Sequence, residues 1–250
     1  RNARDLEGVA RRLAGDWRVI CLELRGRGES AYAKDPMTYV PLTYLQDLEA
    51  LLAELKLPRF VLFGTSLGGL LTMLLSLNHR EQIAAALIND VGPALDEKGL
   101  ERIRSYVGRS QNWPTWMHAA RHFAELHGAV FPKWGLGEWP VFAKRVCRLN
   151  QNGRVVFDYD MRIAEPFKLP GGETGFDPWI AFRGLKGVPL LAVRGETSDL
   201  LTDETLAKMH SEMPQIERPT VPGVGHAPTL EEPEAVDAID RLLGKVSPGT

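Results

Sequence analysis

Two patterns of apolar residues alternate along most of this chain. Short continuous apolar runs are typical of strands buried on both faces, and apolar residues spaced by three or four are typical of amphipathic helices. The continuous runs predict strands at residues 17–24, 60–63, 83–88, 188–193 and 216–221. The spaced pattern predicts helices at residues 4–13, 39–57, 70–78, 203–213 and 231–243. This alternation predicts an α/β protein with a doubly wound, mostly parallel sheet.

Residues 94–187 interrupt the alternation. Strand-like runs almost vanish there, and helical patterns are separated by turns rich in proline and glycine. Five of the six tryptophans also fall in this segment. We therefore expect a core formed by residues 1–93 and 188–250, with residues 94–187 inserted as a helical cap. The helical patterns of the cap cover residues 98–108, 116–127 and 141–150.

Residues 64–69 (GTSLGG) lie between a predicted strand and a predicted helix. In a nucleophile elbow, a serine on a sharp strand-to-helix turn exposes its hydroxyl at the edge of a sheet. Such a turn is crowded, so we expect Gly64 and Gly68 to be required there, and Gly69 to let the helix approach the sheet. The alternative is an ordinary glycine-rich turn. The strand before it and the helix after it favour Ser66 as a nucleophile.

A serine hydroxyl is a weak nucleophile that needs a general base, and the base needs an orienting acid. On a sheet of this kind the expected chain order is serine, acid, histidine. Of the six histidines, only His226 follows a late predicted strand. It lies in residues 223–228 (GVGHAP), where glycines and a proline make a loop that holds one side chain in place. His226 is therefore the candidate base, and the alternative is a surface loop histidine.

The acid has two main candidates that satisfy this order. Asp199 follows the penultimate predicted strand, and Asp90 follows the strand before that. We favour Asp199, because the loop next to the histidine loop is the usual position of the acid. Asp90 is otherwise interpreted as a capping residue of a turn. Glu196 and Asp203 are weaker options, and Asp203 fits the first turn of a helix.

Composition limits the partners of this protein. The chain has 250 residues, 44% hydrophobic and 25% charged, with a formal net charge of −2 and no basic block. Nothing in this balance favours nucleic acid or an anionic membrane surface, and no apolar run approaches membrane-spanning length. We expect a small-molecule substrate, no nucleic acid and no membrane, in a cytoplasmic monomer or homodimer.

Neither a cofactor nor a metal is expected. Residues 26–31 match a dinucleotide-binding fingerprint on paper, but no helix opens within them. His118 and His122 are spaced for one helix face, yet alanine stands where a zinc-binding helix usually carries glutamate. Cys21 and Cys147 are too few for a disulfide framework and are interpreted as packing residues.

Together these motifs resemble the α/β-hydrolase superfamily. The resemblance rests on the elbow (64–69), the loop at 25–30 (RGRGES), the acid loop at 194–199 (RGETSD) and Gly225-His226. Within the superfamily the chain resembles the capped branch of epoxide-hydrolase-like, meta-cleavage-product hydrolase and enol-lactonase relatives. The resemblance covers nearly the whole chain, but no motif is specific for one substrate. The acid loop has one residue more than the commoner Gly-x-x-Asp form.

The resemblance implies a role for each site residue. Ser66 would be the nucleophile, His226 the base, Asp199 the acid, and the backbone N–H of Leu67 one donor of the oxyanion hole. Family members also have further N-terminal strands and a loop with a second donor, which here would lie upstream of Arg1. We therefore expect this chain to be a fragment of a longer protein.

The implied activity is hydrolysis of a small, largely apolar carboxylic ester or lactone through an acyl-enzyme. One alternative is a C–C bond hydrolase of vinylogous diketones with the same triad. Another is a weakly catalytic ligand-binding or signalling protein on the same fold. Trp113 and Trp116 either line an apolar substrate pocket or form the core of the cap, and their cluster alone favours neither. We expect the cap to choose the substrate, so both are candidate substrate-binding residues whose substitution should alter the preference among acyl chain lengths.

Overall fold

The computed structural model describes residues 2–168 and 177–246. Its helices are α1 (Glu7–Leu13), α2 (Pro41–Leu55), α3 (Leu67–His79), α4 (Glu97–Tyr106), α5 (Trp116–His127), α6 (Glu138–Val146), α7 (Pro178–Arg183), α8 (Asp203–Glu212) and α9 (Pro233–Leu243). Its strands are β1 (Phe60–Thr65), β2 (Ile83–Asn89), β3 (Asn112–Trp113), β4 (Cys147–Leu149), β5 (Val155–Phe157), β6 (Leu190–Gly195) and β7 (Thr220–Val221). Short stretches of 3-10 helix cover Ala3–Leu6, Pro36–Thr38, Arg80–Gln82 and Met161–Lys168.

The chain divides into two compact units. We call Val40–Arg102 with Glu173–Thr250 the sheet unit, and Arg1–Tyr39 with Ile103–Gly172 the aromatic unit. The boundaries of these units differ from those of the predicted core and cap. That predicted division therefore remains a prediction.

The sheet unit is built on a parallel sheet with the strand order β1-β2-β6-β7. Every residue of β2 and of β6 is buried, which explains why their sequences are continuous apolar runs. Because the strands run in the same direction, the residues that follow them meet at one edge of the sheet. This architecture confirms the predicted fold class, α/β with a mostly parallel sheet.

Local signals set the ends of the helices around this sheet. Helix α2 has Pro41 at its first position, where a backbone N–H would have no hydrogen-bond acceptor within the helix, so proline costs no hydrogen bond there. It ends at Leu55 and is capped by Lys56, whose φ of 51° is left-handed and whose N–H donates to the carbonyl of Leu52. None of the helices in the described part of the chain is long and apolar enough to cross a membrane.

The aromatic unit contains a small antiparallel sheet with the strand order β3-β5-β4. The ring of Trp113 in β3 packs on Phe123 of α5 and Phe157 of β5, with centroids 5.6 and 5.2 Å apart. Phe123 in turn meets Phe142 of α6 at 5.3 Å. The sequence did not predict this sheet, because strands of two or three residues are too short to show an alternation. The helix predicted at 141–150 extends too far, because α6 ends at Val146 and the short strand β4 begins at Cys147.

The strand predicted at residues 17–24 is wrong, because the structure has no strand there. Val19, Ile20 and Leu22 are 37%, 41% and 41% exposed. A strand is held by hydrogen bonds to a neighbouring strand, and an apolar run does not supply that neighbour.

Candidate active site

The turn from β1 to α3 holds Ser66 in a strained backbone conformation. Its φ of 52° and ψ of −116° lie outside the region that residues with a side chain ordinarily adopt. The backbone N–H of Ser66 donates to the carbonyl of Asn89 in β2 at 3.0 Å. Strain of this kind persists only where the surrounding structure enforces it, and it is common at functional sites. The geometry is that of a nucleophile elbow.

The elbow glycines differ in how much they matter. A Cβ at Gly64 would lie 2.3 Å from the carbonyl oxygen of Gly68, and one at Gly69 would lie 2.4 Å from Cγ1 of Val91. Both positions therefore need glycine, as predicted. The same expectation for Gly68 is wrong, because a Cβ there would meet none of the neighbouring described atoms within 4 Å.

Ser66 and His226 are brought together as predicted. Oγ of Ser66 lies 3.1 Å from Nε2 of the imidazole, and Nδ1 on the other side of the ring lies 2.8 Å from Oδ2 of Asp90. The side chains of His226 and Asp90 are 7% and 0% exposed. A histidine in this position can take the serine proton at one nitrogen while the acid holds the other.

Asp90 is fixed by its backbone as well as by its side chain. It follows β2 with a left-handed φ of 55°, and its N–H donates to the carbonyl of Val193 in β6 at 2.8 Å. Its Oδ1 accepts the backbone N–H of Gly195 at 2.8 Å, and its Oδ2 accepts the hydroxyl of Ser198 at 2.7 Å. The left-handed conformation and these donors hold the carboxylate against His226.

The prediction that Asp199 orients His226 is wrong. The carboxylate of Asp199 instead pairs with Arg102 of α4, whose Nη2 donates to Oδ1 at 2.8 Å and whose Nε donates to Oδ2. Hydrogen bonds from Arg102 lower the pKa of Asp199, partial burial opposes this, and the charge of His226 lowers it further. The hydrogen bond to His226 is therefore made by Asp90, and Asp199 is paired with Arg102.

The two weaker acid candidates have other structural roles. Oε2 of Glu196 accepts the backbone N–H of Gly223 at 2.7 Å, which ties the acid loop to the histidine loop. Asp203 begins α8 and lies 3.1 Å from Nη1 of Arg194. Neither makes the contact with His226 that Asp90 makes.

Asn89 is a site residue that the sequence did not identify. It is fully buried at the end of β2, and its Nδ2 donates to Oγ1 of Thr65 at 3.1 Å and to the carbonyl of Pro228 at 2.9 Å. Its carbonyl also accepts the N–H of Ser66. Asn89 therefore ties the elbow to the histidine loop. The available signal was a polar Asn-Asp pair directly after a continuous apolar run.

Leu67 is the first residue of α3, so its N–H is one of the helix-start donors that have no partner within the helix. This position suits an oxyanion-hole donor, and the role remains a proposal.

The two predicted substrate-binding tryptophans belong to the aromatic unit. Trp113 is 8% exposed and packs in the aromatic cluster described above, whereas Trp116 is half-buried in the first turn of α5. Their predicted effect on substrate choice stays a prediction.

The other candidate groups have ordinary surroundings. Nδ1 of His118 lies 2.9 Å from Oγ1 of Thr115, the N-cap of α5, and the ring of His122 packs on Trp113. Cys21 and Cys147 are free thiols, and burial raises the pKa of Cys147 to about 12. Within residues 2–168 and 177–246 there is no group of three or more His, Cys, Asp or Glu side chains that could hold a metal ion.

A parallel sheet with an elbow serine, a histidine and an aspartate at its carboxyl edge defines a protein of the hydrolase class. The chain belongs to the alpha/beta hydrolase family, whose model matches residues 3–239. It is 33% identical over 245 residues to the 3-hydroxybutyrate-oligomer hydrolase of Cupriavidus necator, which covers 94% of this chain and 82% of that protein. The predicted superfamily is therefore confirmed, and a hydrolase among the relatives supports an α/β-hydrolase enzyme.

Solved structures agree with this assignment. An alpha/beta hydrolase from Novosphingobium aromaticivorans matches with a TM-score of 0.94 and 59% identity, over 98% of this chain and 86% of that one. An esterase from Mycobacterium tuberculosis matches with a TM-score of 0.70 over 98% of this chain and 81% of its own. At 23% identity, the second likeness shows the fold alone.

Proposed function

We propose that this protein is a serine hydrolase that cleaves a small, largely apolar carboxylic ester or lactone through an acyl-enzyme. The observation that carries the proposal is the hydrogen-bond chain from Ser66 through His226 to Asp90, with distances of 3.1 and 2.8 Å. The strained backbone of Ser66 supports the same conclusion, because it presents the hydroxyl at the sheet edge.

Acylation begins at Ser66. Oγ attacks the carbonyl carbon of the ester while Nε2 of His226 takes the hydroxyl proton. The imidazolium that forms is stabilised by the carboxylate of Asp90, which accepts the Nδ1–H. The backbone N–H of Leu67 donates to the negative oxygen of the tetrahedral intermediate. The ester bond then breaks, and the leaving alkoxide takes the proton from Nε2.

Deacylation repeats these steps with water. Nε2 of His226 takes a proton from the water as its oxygen attacks the acyl carbon. The second tetrahedral intermediate collapses, Oγ of Ser66 leaves, and it recovers its proton from the imidazolium. The products are one alcohol and one carboxylic acid, and for a lactone both groups belong to one molecule.

The similar protein from Cupriavidus necator suggests the first substrate to test. Its name describes hydrolysis of 3-hydroxybutyrate oligomers, which are chains of short hydroxy acids joined by ester bonds. At 33% identity this supports an ester rather than a diketone as the substrate of the present chain. The linear dimer of 3-hydroxybutyrate is the smallest such ester.

A labelling and turnover experiment tests the proposal. The wild-type protein, Ser66→Ala and Ser211→Ala are treated with a fluorophosphonate probe and assayed with p-nitrophenyl butyrate and the 3-hydroxybutyrate dimer. Ser211 is a suitable control because it is exposed on α8 and its hydroxyl donates only to a backbone carbonyl. We expect Ser66→Ala to lose both the label and turnover, and Ser211→Ala to keep both.

Three results would contradict the proposal. Labelling that survives Ser66→Ala would exclude Ser66 as the nucleophile. Cleavage of a vinylogous diketone without ester cleavage would favour the C–C hydrolase. Binding of these esters without turnover would favour a ligand-binding protein.

A further inference from the structure

We propose that Ser198 is a positioning residue of the triad, which holds the carboxylate of Asp90 in the orientation that His226 requires. This inference rests on the proposed function, since it assigns a second role within the same site. Ser198 follows β6 in the acid loop, and its Oγ lies 2.7 Å from Oδ2 of Asp90. That oxygen is the one that also faces Nδ1 of His226 at 2.8 Å.

The surroundings of the Ser198 hydroxyl fix the direction of this hydrogen bond. Its oxygen accepts the backbone N–H groups of Leu200 and Leu201 at 3.3 and 3.2 Å. A hydroxyl has two acceptor lone pairs and one proton. With both lone pairs facing N–H groups, the proton points at Asp90. The hydroxyl is therefore a donor to the carboxylate.

This bond restricts rotation of the Asp90 carboxylate. Oδ1 accepts the N–H of Gly195 at 2.8 Å, so Ser198 and Gly195 hold the two oxygens from different points of one loop. A rotation about the Cβ–Cγ bond would break both contacts. The side chain is fully buried, so its oxygens depend on these donors for their hydrogen bonds. Because Nδ1 of His226 is hydrogen-bonded to this carboxylate, a carboxylate held in one orientation also holds the imidazole ring in one orientation. The ring orientation determines the position of Nε2 relative to Oγ of Ser66.

The loop that carries Ser198 is itself anchored. The backbone N–H of Ser198 donates to the carbonyl of Gly195 at 3.0 Å, and the next residue, Asp199, is paired with Arg102. Gly99 of α4 packs so closely that a Cβ there would lie 2.6 Å from the Asp199 carbonyl. Asp199 thus supports the triad indirectly, by holding the residue that binds Asp90.

The test uses substitutions at position 198 that distinguish loss of the hydroxyl donor from a change in side-chain shape. Ser198→Ala removes the hydroxyl. Ser198→Thr keeps a donor, whereas Ser198→Val has the shape of the threonine variant without the donor. Ser211→Ala is the matched control. For each protein we would measure kcat and KM on p-nitrophenyl butyrate, the Tm, and the proton NMR resonance of the Nδ1–H of His226.

We expect Ser198→Ala and Ser198→Val to lower kcat about tenfold at unchanged KM, the effect of losing one hydrogen bond that acts in the transition state. The Nδ1–H resonance should move from its wild-type position in both. Ser198→Thr should restore kcat to within about threefold of the wild type. If Ser198→Ala does not fold, the comparison between the threonine and valine variants gives the same test.

Other results would overturn the inference. An unchanged resonance, with or without a loss of kcat, would mean that Ser198 does not act through the Asp90–His226 contact. A moved resonance at unchanged kcat would mean that Ser198 affects the Asp90–His226 contact but is not required for turnover. Neither result contradicts the proposed function. That function would be contradicted if the wild type fails to cleave esters, or if Ser66→Ala keeps the probe label or the ester turnover.

Discussion

The two candidate acids have different partners, and single substitutions can distinguish their roles. Asp90 accepts a hydrogen bond from Nδ1, whereas Asp199 pairs with Arg102. In Asp90→Asn an amide replaces the carboxylate, so the imidazole turns to the tautomer with a proton rather than a lone pair facing Ser66. We expect kcat to fall about 10⁴-fold. The measurement is kcat on p-nitrophenyl butyrate, with Tm to confirm folding.

Asp199→Asn is the matched control for that substitution. Since Asp199 lies in the same loop region but makes no hydrogen bond to the imidazole, we expect kcat to fall by less than about tenfold. A collapse of kcat in Asp199→Asn with a nearly normal Asp90→Asn would contradict the assignment of Asp90 as the acid.

Asp199 also makes stability depend on pH. Arg102 lowers the pKa of this carboxyl below its ordinary value of 3.8, so the ionised form is favoured in the folded protein. The stabilisation is therefore present above about pH 4 and is lost as the pH falls through the lowered pKa. Both side chains are about one third exposed, so solvent screening limits the pair to about 1 kcal/mol or less.

Urea unfolding of the wild type and Asp199→Asn measures this effect. We expect the wild type to have the larger free energy of unfolding at pH 7 and the difference to shrink as the pH falls below about 4. A difference that stays constant throughout the acid range would show that the ion pair is not its source.

At the scale of elements, two glycines at the junction of β1 and α3 differ in whether a side chain can replace them: Gly64 has no room for a Cβ, whereas Gly68 has. In Gly64→Ala the new Cβ would overlap the backbone carbonyl of Gly68, and neither backbone can move without breaking the elbow. We expect a loss of more than about 2 kcal/mol in the free energy of unfolding, together with loss of probe labelling at Ser66.

Gly68→Ala should be tolerated. Its Cβ meets no described neighbour within 4 Å, and alanine is favoured over glycine inside a helix by about 1 kcal/mol. We expect an equal or higher free energy of unfolding by urea titration, with labelling of Ser66 retained. Equal damage from both substitutions would mean that the close approach at Gly64 is not what constrains the elbow.

The sheet elements differ in how far their sequences predict them. Strands β2 and β6 were predicted because burial on both faces leaves a continuous apolar run. Strand β1 shows the same kind of run, although only Gly64 of its six residues is buried. Strands β3 to β5 were missed because two or three residues show no period. Residues 17–24 have a strand-like pattern but no neighbouring strand, since pairing depends on residues far away in the chain. A local apolar run therefore predicts a strand only where a neighbouring strand is also present to pair with it.

The same limit applies to the candidate site. Ser66 and His226 were predicted because glycine spacing and loop composition around each are local signals. The residues around Asp90 and Asp199 in the sequence do not show which of the two is hydrogen-bonded to His226. That choice depends on the left-handed backbone of Asp90 and on the pairing of Asp199 with Arg102, 97 residues earlier in the chain. The hydroxyl of Ser198 could be recognised as relevant only once Asp90 was known to be its partner.

At the scale of the whole molecule, the two units differ in the kind of core that each contains. Three of the four parallel strands of the sheet unit (β1, β2 and β6) have six or seven residues, and β2 and β6 are entirely buried; the fourth, β7, has two residues. The sheet of the aromatic unit has strands of two or three residues, and packing there depends on rings such as Trp113 and Phe123. Regions with fewer buried backbone hydrogen bonds open at a lower free-energy cost. We therefore expect the aromatic unit to open first in denaturant.

Cys147 reports on that opening. It is 2% exposed, and burial, followed by the charge of Asp158, raises its pKa to about 12, against a lowering by Arg4. With the pKa raised to about 12, little of the folded thiol is ionised at pH 8, so a disulfide reagent should react with it mainly after opening. Because the pKa is raised, any reaction of the folded form should become faster as the pH rises. Cys21→Ser removes the second thiol and leaves Cys147 as the only one.

Two labels on one protein then compare the units along a urea titration at pH 8. In Cys21→Ser, we expect Cys147 to react at urea concentrations where a fluorophosphonate probe still labels Ser66 of the sheet unit. The double variant Cys21→Ser, Cys147→Ser should take up no thiol reagent, which identifies the reacting group. If Cys147 becomes reactive only at the urea concentration where Ser66 labelling is lost, the chain unfolds as one cooperative body. The difference in strand length between the two sheets would then have no consequence for the order of opening.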